Sequence, residues 1–218
     1  GVRAFCVCNT LAWEATNPDG DTDDFVIARA GTLWWVRLLC VVPLMLLRAR
    51  PCQRRRHTID FTFFAADTDL SLERLMYQDQ DPYLAYWTRS LIAVVDDGIM
   101  DAFWEENAWA AEALPNASQA QLAWYRRLPA IHHRMLVRCS AGLYHALRVT
   151  GLLWLGNILA RRLSLWRFPK RIREQMNQST NVVVNDAMLK FHVVDRRGEI
   201  LKRKQDIEGR LLADIRDL

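Results

Sequence analysis

Basic side chains interleaved with tryptophans are the feature of this chain whose spacing suggests a chemistry. Residues 119–173 contain eleven Lys and Arg and no Asp or Glu. Five of these cations lie close to Trp154 and Trp166, and we call them the basic cluster: Arg161, Arg162, Arg167, Lys170 and Arg171. Cations beside aromatic rings are typical of a helix end that binds anionic headgroups. The cluster therefore predicts a site for an anionic lipid such as cardiolipin.

Two other partners would satisfy the same cations. Basic residues among aromatic rings also suit an RNA backbone, although nucleic acid is the less favoured partner. Alternatively, the cations pair with acids of the same chain, since residues 57–118 carry twelve Asp and Glu against two Arg. Such opposite blocks favour either a subunit that meets oppositely charged partners or a chain whose own blocks pair.

Carboxylates at helical spacing are the second group that could do chemistry. Asp97, Asp101 and Glu105 would share one face of a helix, where they could hold a metal ion or relay protons. No histidine lies near them in sequence, and the Glu-x-x-His pattern of di-metal bundle sites is absent. We therefore predict an acidic surface that faces solvent or a partner, and no metal site.

The spacing of histidines and cysteines also indicates no catalytic or metal site. His132 and His133 are adjacent, so on a helix their rings diverge by about 100° and cannot chelate one ion together. The five cysteines match neither a zinc site nor a Cys-x-x-Cys redox pair. The sequence therefore predicts no catalytic residue and no cofactor.

The apolar segment 30–47 is the element that would position these groups at a membrane. Its eighteen residues would extend roughly 27 Å as a helix, close to the thickness of a bilayer core. Trp34 and Trp35 stand toward one end, and Arg48 and Arg50 follow the other end. All four are of types that lie at membrane interfaces, and we predict them there.

Two residues argue against a membrane-spanning helix. An arginine such as Arg37 costs about 2.5–3.5 kcal/mol at the centre of a bilayer, and Pro43 would kink the helix. The alternative is a buried helix in the core of a soluble protein. We keep a transmembrane helix with a basic flank as the prediction for residues 30–56.

The remaining segments predict a mainly α-helical, extended chain with a small β-hairpin near the C-terminus. Asp81 and Pro82 make a typical helix start, with the aspartate as N-cap and the proline at the first helical position. The predicted segments are an irregular N-terminal arm over 1–29, the membrane helix and its flank over 30–56, a helical region over 57–173 that holds an acidic helix (82–113) and a basic apolar helix (119–173), and a hairpin and helix over 174–218.

These features favour a non-catalytic accessory subunit of a large membrane complex. We predict the mitochondrial inner membrane as its location, with a respiratory-chain complex or the ATP synthase as the assembly. The expected partners are other subunits of that complex and an anionic lipid such as cardiolipin. Two alternatives remain, namely a mitochondrial ribosomal accessory protein that binds RNA through the basic segment, and a soluble helical enzyme whose site is assembled from scattered residues.

Overall fold

Six strands form one mixed sheet in this protein. The structure is a computed structural model, and it describes residues 1–13, 21–48, 58–117 and 134–216. Numbered along the chain, the strands are β1 (Val2–Cys8), β2 (Asp21–Ala28), β3 (Thr58–Ala66), β4 (Ile92–Asp96), β5 (Val182–Val184) and β6 (Met188–Phe191). Their order across the sheet is β4-β1-β2-β3-β6-β5.

Helices pack on both faces of this sheet. They are α1 (Asn9–Ala12), α2 (Leu33–Leu46), α3 (Pro82–Arg89), α4 (Ile99–Glu106), α5 (Ala108–Ala113), α6 (Arg134–Val149), α7 (Leu152–Arg167), α8 (Lys170–Gln175) and α9 (Arg197–Arg216). On one face, which we call the α3 side, Phe63 packs with Trp87 and Phe103. On the other face, the α2 side, Trp34 and Leu189 belong to a second core.

The predicted fold, a mainly α-helical extended chain, is wrong. Residues 1–29, predicted as an irregular arm, contain β1 and β2, and these two strands pair antiparallel at the centre of the sheet. Most of their inner residues are buried, on both faces of the sheet: Ala4, Cys6, Val7 and Cys8 in β1, and Asp24 to Ala28 in β2. Strands covered on both sides read as short apolar runs without alternation, so their sequence carries no clear period of two.

The predicted transmembrane helix over residues 30–56 is also wrong. Among the described residues, no helix combines the length and the apolar character that crossing a membrane requires. Helix α2 has 14 residues, which is about 21 Å, and it is the crossover between the parallel strands β2 and β3. The guanidinium carbon of Arg37 lies 5.1 Å from the ring centre of Phe168 and 4.8 Å from that of Phe191. Residues 49–56, with Arg50, lie outside the described residues.

The predicted acidic helix over 82–113 is divided into α3, β4, α4 and α5. Its start is confirmed, because the Asp81 carboxylate accepts a hydrogen bond from the backbone N–H of Leu84 at 2.8 Å, with Pro82 at the first helical position. The β-branched run of β4 then pairs with β1 at the edge of the sheet. Gly98, at φ +95°, turns the chain back into α4.

The predicted small C-terminal hairpin is also wrong, because the strands of this region belong to the main sheet. Strands β5 and β6 pair antiparallel, and β6 also pairs antiparallel with β3. The residue pairs Phe63–Lys190 and Phe64–Leu189 set the register between β3 and β6. Side chains opposite one another point to the same face. Lys190 therefore points to the α3 side, with Phe63, and Leu189 points to the α2 side, with Phe64.

The contact between α7 and α2 depends on one side chain. Asn157 Oδ1 accepts hydrogen bonds from the backbone N–H groups of Trp34 at 3.0 Å and Trp35 at 3.1 Å. It thus caps the first turn of α2 from a helix more than 120 residues away. The neighbouring Gly156 lies against the indole of Trp35, where an added Cβ would make an ordinary contact at 3.4 Å.

We expect Asn157→Ala to lower the free energy of unfolding by about 1–2 kcal/mol, because two backbone donors at the start of α2 lose their acceptor. Urea unfolding followed by tryptophan fluorescence measures this change. Asn157→Asp is the matched control: it keeps the acceptor oxygens and should retain most of the stability. Equal losses in both variants would show that the cap contributes nothing.

Candidate functional site

Helix α7 carries two apolar stripes that face different surroundings. Leu153, Ala160 and Ser164 are buried. A second stripe is exposed, and we call it the α7 stripe: Leu152, Leu155, Leu159, Leu163 and Trp166. At about 100° per residue, the centres of the two stripes are about 120° apart around the helix axis. The α7 stripe therefore points away from the core.

Helix α2 extends this exposed apolar surface. Val42, Met45 and Leu46 face Leu163 and Phe168 across a cavity of about 410 Å³ between α2 and α7. The exposed side chains at the end of α2 complete the patch, and together with the α7 stripe we call them the α2–α7 surface: Leu39, Val42, Met45, Leu46 and Leu47. An exposed apolar patch made of this many large side chains usually marks a site of protein or membrane contact.

The basic cluster borders the α2–α7 surface. Arg162 and Arg171 are exposed, and Arg167 lines the cavity between the two helices. Arg161 pairs with Asp186 at 3.2 Å and Lys170 with Glu174 at 3.6 Å, and all four of these side chains are largely exposed. Exposed ion pairs contribute at most about 1 kcal/mol, so Lys170 can exchange its partner for a lipid phosphate. Arg161 lies about 160° around α7 from the centre of the α7 stripe, on the side that faces Asp186.

The predicted interface residues of segment 30–56 have different environments. Trp34 is 1% exposed and its Nε1–H donates to Asp186 at 2.8 Å, so it is a core residue. Trp35 is partly buried and packs against the same core. Arg48 is exposed just beyond the end of α2, and Arg50 lies outside the described residues. The tryptophans that are exposed within the described ranges are instead Trp154 and Trp166, at 69% and 73%.

The acidic residues of 82–113 do not pair with the basic segment among the described side chains. Asp97 accepts from the Arg3 guanidinium at 2.8 Å, while Asp101 and Glu105 are exposed on α4. No group of three or more His, Cys, Asp or Glu in the described part of the chain could hold a metal ion. Helix α4 lies on the α3 side of the sheet and α7 on the α2 side, so the exposed acids of α4 and the cations of α7 lie on opposite faces of the sheet.

The comparisons with known proteins give no further information. No family model, curated protein or solved structure matches the chain at a significant level.

A second group of polar side chains lies on the α3 side, and the sequence analysis did not identify it as a site. Lys190, His192 and Arg197 line a cavity of about 190 Å³ beside Phe63 and Trp87. The signal for this group is the alternation from Leu189 to His192. That pattern is typical of a half-exposed strand, but here α3 and α9 cover the polar side as well.

Arg197 is the most extensively bonded residue of this group. Its side chain is 7% exposed. Its Nε and both Nη atoms donate to five residues at 2.6–3.1 Å: Leu75, Asp81, Thr180, Asn181 and Asp195. The guanidinium therefore joins the start of α9 to the loop before α3 and to the residues before β5.

Proposed function

We propose that this chain is a non-catalytic accessory subunit of a mitochondrial inner-membrane complex that rests on the membrane surface and binds anionic lipid, cardiolipin above all, through its α2–α7 surface. The observation that carries the proposal is the exposed α7 stripe bordered by the basic cluster. This form of attachment needs no spanning helix, since an in-plane helix buries only its apolar face at the headgroup boundary.

Lipid fits this surface better than an RNA backbone does. Phosphates of RNA would use Arg162 and Arg167 but would leave the leucines of the α7 stripe in water. A bilayer accepts both, because acyl chains receive the leucines and headgroups receive the cations. Trp166, a member of the α7 stripe, adds an aromatic ring of the kind that lies at the level of the headgroups.

The charge distribution supports a role as a subunit rather than as a lone membrane-bound protein. Exposed acids cover α4 and α5 on the α3 side of the sheet, namely Asp101, Glu105, Glu106 and Glu112. An anionic membrane attracts the basic face and repels the acidic one, so the acids point away from the lipid. They then form a surface for a basic neighbouring subunit.

Vesicle binding tests the lipid part of the proposal. We expect the chain to co-sediment with phosphatidylcholine vesicles that contain cardiolipin and only weakly with phosphatidylcholine alone. Arg162→Gln with Arg167→Gln should weaken binding about 30-fold, at about 1 kcal/mol per cation. Leu155→Ser with Leu159→Ser should also weaken it, through lost apolar burial.

Matched controls lie on α9, where Arg203, Arg210, Leu211 and Leu212 are also exposed. Arg203→Gln with Arg210→Gln, and Leu211→Ser with Leu212→Ser, should bind cardiolipin vesicles as the parent chain does. Equal losses in the control and test variants would contradict a specific surface. Salt-sensitive binding to RNA, without binding to vesicles, would favour the ribosomal alternative.

A separate measurement tests whether the chain is a subunit of a membrane complex. A native gel of gently solubilised mitochondrial membranes, with the chain tracked by mass spectrometry, should show it moving with a respiratory complex or the ATP synthase. Migration at its own mass, free of any complex, would contradict the assignment to a complex even if the chain binds cardiolipin.

A further inference from the structure

A cavity on the α3 side lies on the face of the sheet opposite to the α2–α7 surface. Its volume is about 190 Å³. Much of its wall is aromatic or aliphatic, formed by Phe63, Tyr83, Leu84, Trp87 and Ile200. Pockets for drug-sized ligands are larger, at about 300–1,000 Å³. The cavity therefore fits a small, mostly apolar molecule.

Lys190 brings an amine to this cavity. The residue is 5% exposed, and its Nζ donates to the carbonyl oxygen of Thr180 at 2.6 Å. No carboxylate lies within ion-pair distance of Nζ among the described residues. Burial, followed by the nearby Arg197 guanidinium, lowers the pKa of Lys190 to about 7. A neutral amine can keep its bond to Thr180 and still present a lone pair to a ligand.

The hydrogen bonds and the charge of Arg197 argue against an anionic ligand. Its Nε and both Nη atoms already donate to protein oxygens, including those of Asp81 and Asp195. Arg197 therefore has no free N–H group for a carboxylate or phosphate, and Arg196, which also lines the cavity, is exposed to solvent. The positive charge of Arg197 also opposes protonation of Lys190. A neutral ligand that reacts with an amine fits these groups better than an anion does.

His192 supplies a second polar group, a ring nitrogen that has no hydrogen-bond partner among the described residues. Its Nδ1 is buried and has no hydrogen-bond partner within the part of the chain that the structure describes. Burial, with the charges of Lys190 and Arg197, lowers the pKa of His192 to about 3, so the imidazole is neutral at physiological pH. A buried nitrogen without a partner is costly unless a ligand completes it.

We propose that this cavity is a carbonyl-binding site in which Lys190 forms an imine with a small apolar aldehyde or ketone. The amine nitrogen attacks the carbonyl carbon, and the carbonyl oxygen takes up a proton to give a carbinolamine. The carbon–oxygen bond then breaks, and the two amine hydrogens leave with the oxygen as water. Nothing is oxidised or reduced, and a neutral His192 can bond the oxygen as it leaves.

The small number of lysines makes this proposal directly testable. The chain has four: Lys170, Lys190, Lys202 and Lys204. Incubation of the folded chain with benzaldehyde and cyanoborohydride at pH 7, followed by peptide mapping, traps each imine as a stable amine. We expect Lys190 to be labelled at least about tenfold faster than the three others, since a neutral amine is the reactive form. Preferential labelling of exposed Lys170 and Lys202, with Lys190 unmodified, would overturn the proposal.

Two variants sharpen the test without touching Lys190. The triple variant Lys170→Arg, Lys202→Arg, Lys204→Arg keeps Lys190 as its one ε-amine and should take up one benzyl group on it. Ile200→Trp fills the mouth of the cavity and should slow labelling of Lys190 at least about tenfold, since the aldehyde must enter beside it. Unchanged labelling in Ile200→Trp would show that the cavity does not bind the carbonyl compound. Vesicle binding uses the other face of the sheet, so either proposal can fail alone.

Discussion

Replacement of Arg197 by Met is expected to lower the free energy of unfolding by about 3–5 kcal/mol, the usual cost of removing one partner from a buried ion pair. The side chain of Asp81 is 1% exposed, and its Oδ2 accepts from Arg197 Nη1 at 3.1 Å. Without the guanidinium, this carboxylate stays buried without its cation. Arg197→Lys should recover little, because one ammonium cannot reach the acceptors that the planar guanidinium joins.

Urea unfolding of the parent chain, Arg197→Met and Arg196→Met measures this effect. Arg196 is the neighbouring residue and is exposed, so its replacement removes one positive charge without breaking a buried contact. We expect a change within about 0.5 kcal/mol for Arg196→Met. Adding Asp81→Asn to Arg197→Met should recover part of the loss, since the buried charge is then removed. A loss in Arg197→Met no larger than that in Arg196→Met would contradict the role of the guanidinium.

Local signals in the sequence were informative where the chain's own neighbours decide the structure. The Asp81–Pro82 helix start is confirmed, because an N-cap bond joins residues only three apart. The predicted helix over residues 30–47 contains α2, but its role was wrong. Helix α2 is apolar on several sides because it packs on the sheet at one side and against α7 at another, while its remaining apolar side chains are exposed on the α2–α7 surface. A sequence does not distinguish that environment from a lipid one.

The central strands could not be recognised from a two-residue alternation of apolar and polar side chains. Phe25, Val26 and Ile27 are consecutive and all fully buried, two on the α3 side and one on the α2 side. A strand covered on both faces loses the alternation that identifies a half-exposed strand. The prediction of one acidic helix over 82–113 was wrong for a related reason. Its apolar residues recur at helical spacing, yet Ile92 to Asp96 pair with β1 instead, and tertiary pairing overrode the local pattern.

The two candidate sites differ in how far the sequence could predict them. The basic cluster lies within eleven consecutive residues, so charge and aromatic content identify it directly. The cavity depends on contacts that span the chain: Arg197 meets Asp81 across 116 residues and Leu75 across 122. No spacing rule connects residues so far apart. The signal that remained was a lysine and a histidine on one side of a strand, and only the covering helices show that side to be buried.

The second large expected effect is a dependence of stability on pH. Lys190 causes this dependence, and Lys190→Met should remove it. The pKa of Lys190 falls from 10.5 to about 7 on folding, first because burial disfavours the charged amine and second because of Arg197. Between these two values the unfolded chain holds one more proton at this amine than the folded chain does. Raising the pH through that window therefore favours the folded state, with a slope of up to about 1.4 kcal/mol per pH unit.

The difference in unfolding free energy between the parent chain and Lys190→Met, measured in urea at pH 7, 8 and 9, isolates this amine. The difference should grow in favour of the parent chain by about 1 kcal/mol per unit. The thiols of Cys6 and Cys40, whose pKa values burial raises, titrate in both proteins and cancel. Lys202→Met removes an exposed lysine from α9 and should give a curve parallel to the parent's. Parallel curves for Lys190→Met as well would mean that the folded chain holds Lys190 protonated throughout this range, and a protonated amine has no lone pair with which to attack a carbonyl carbon.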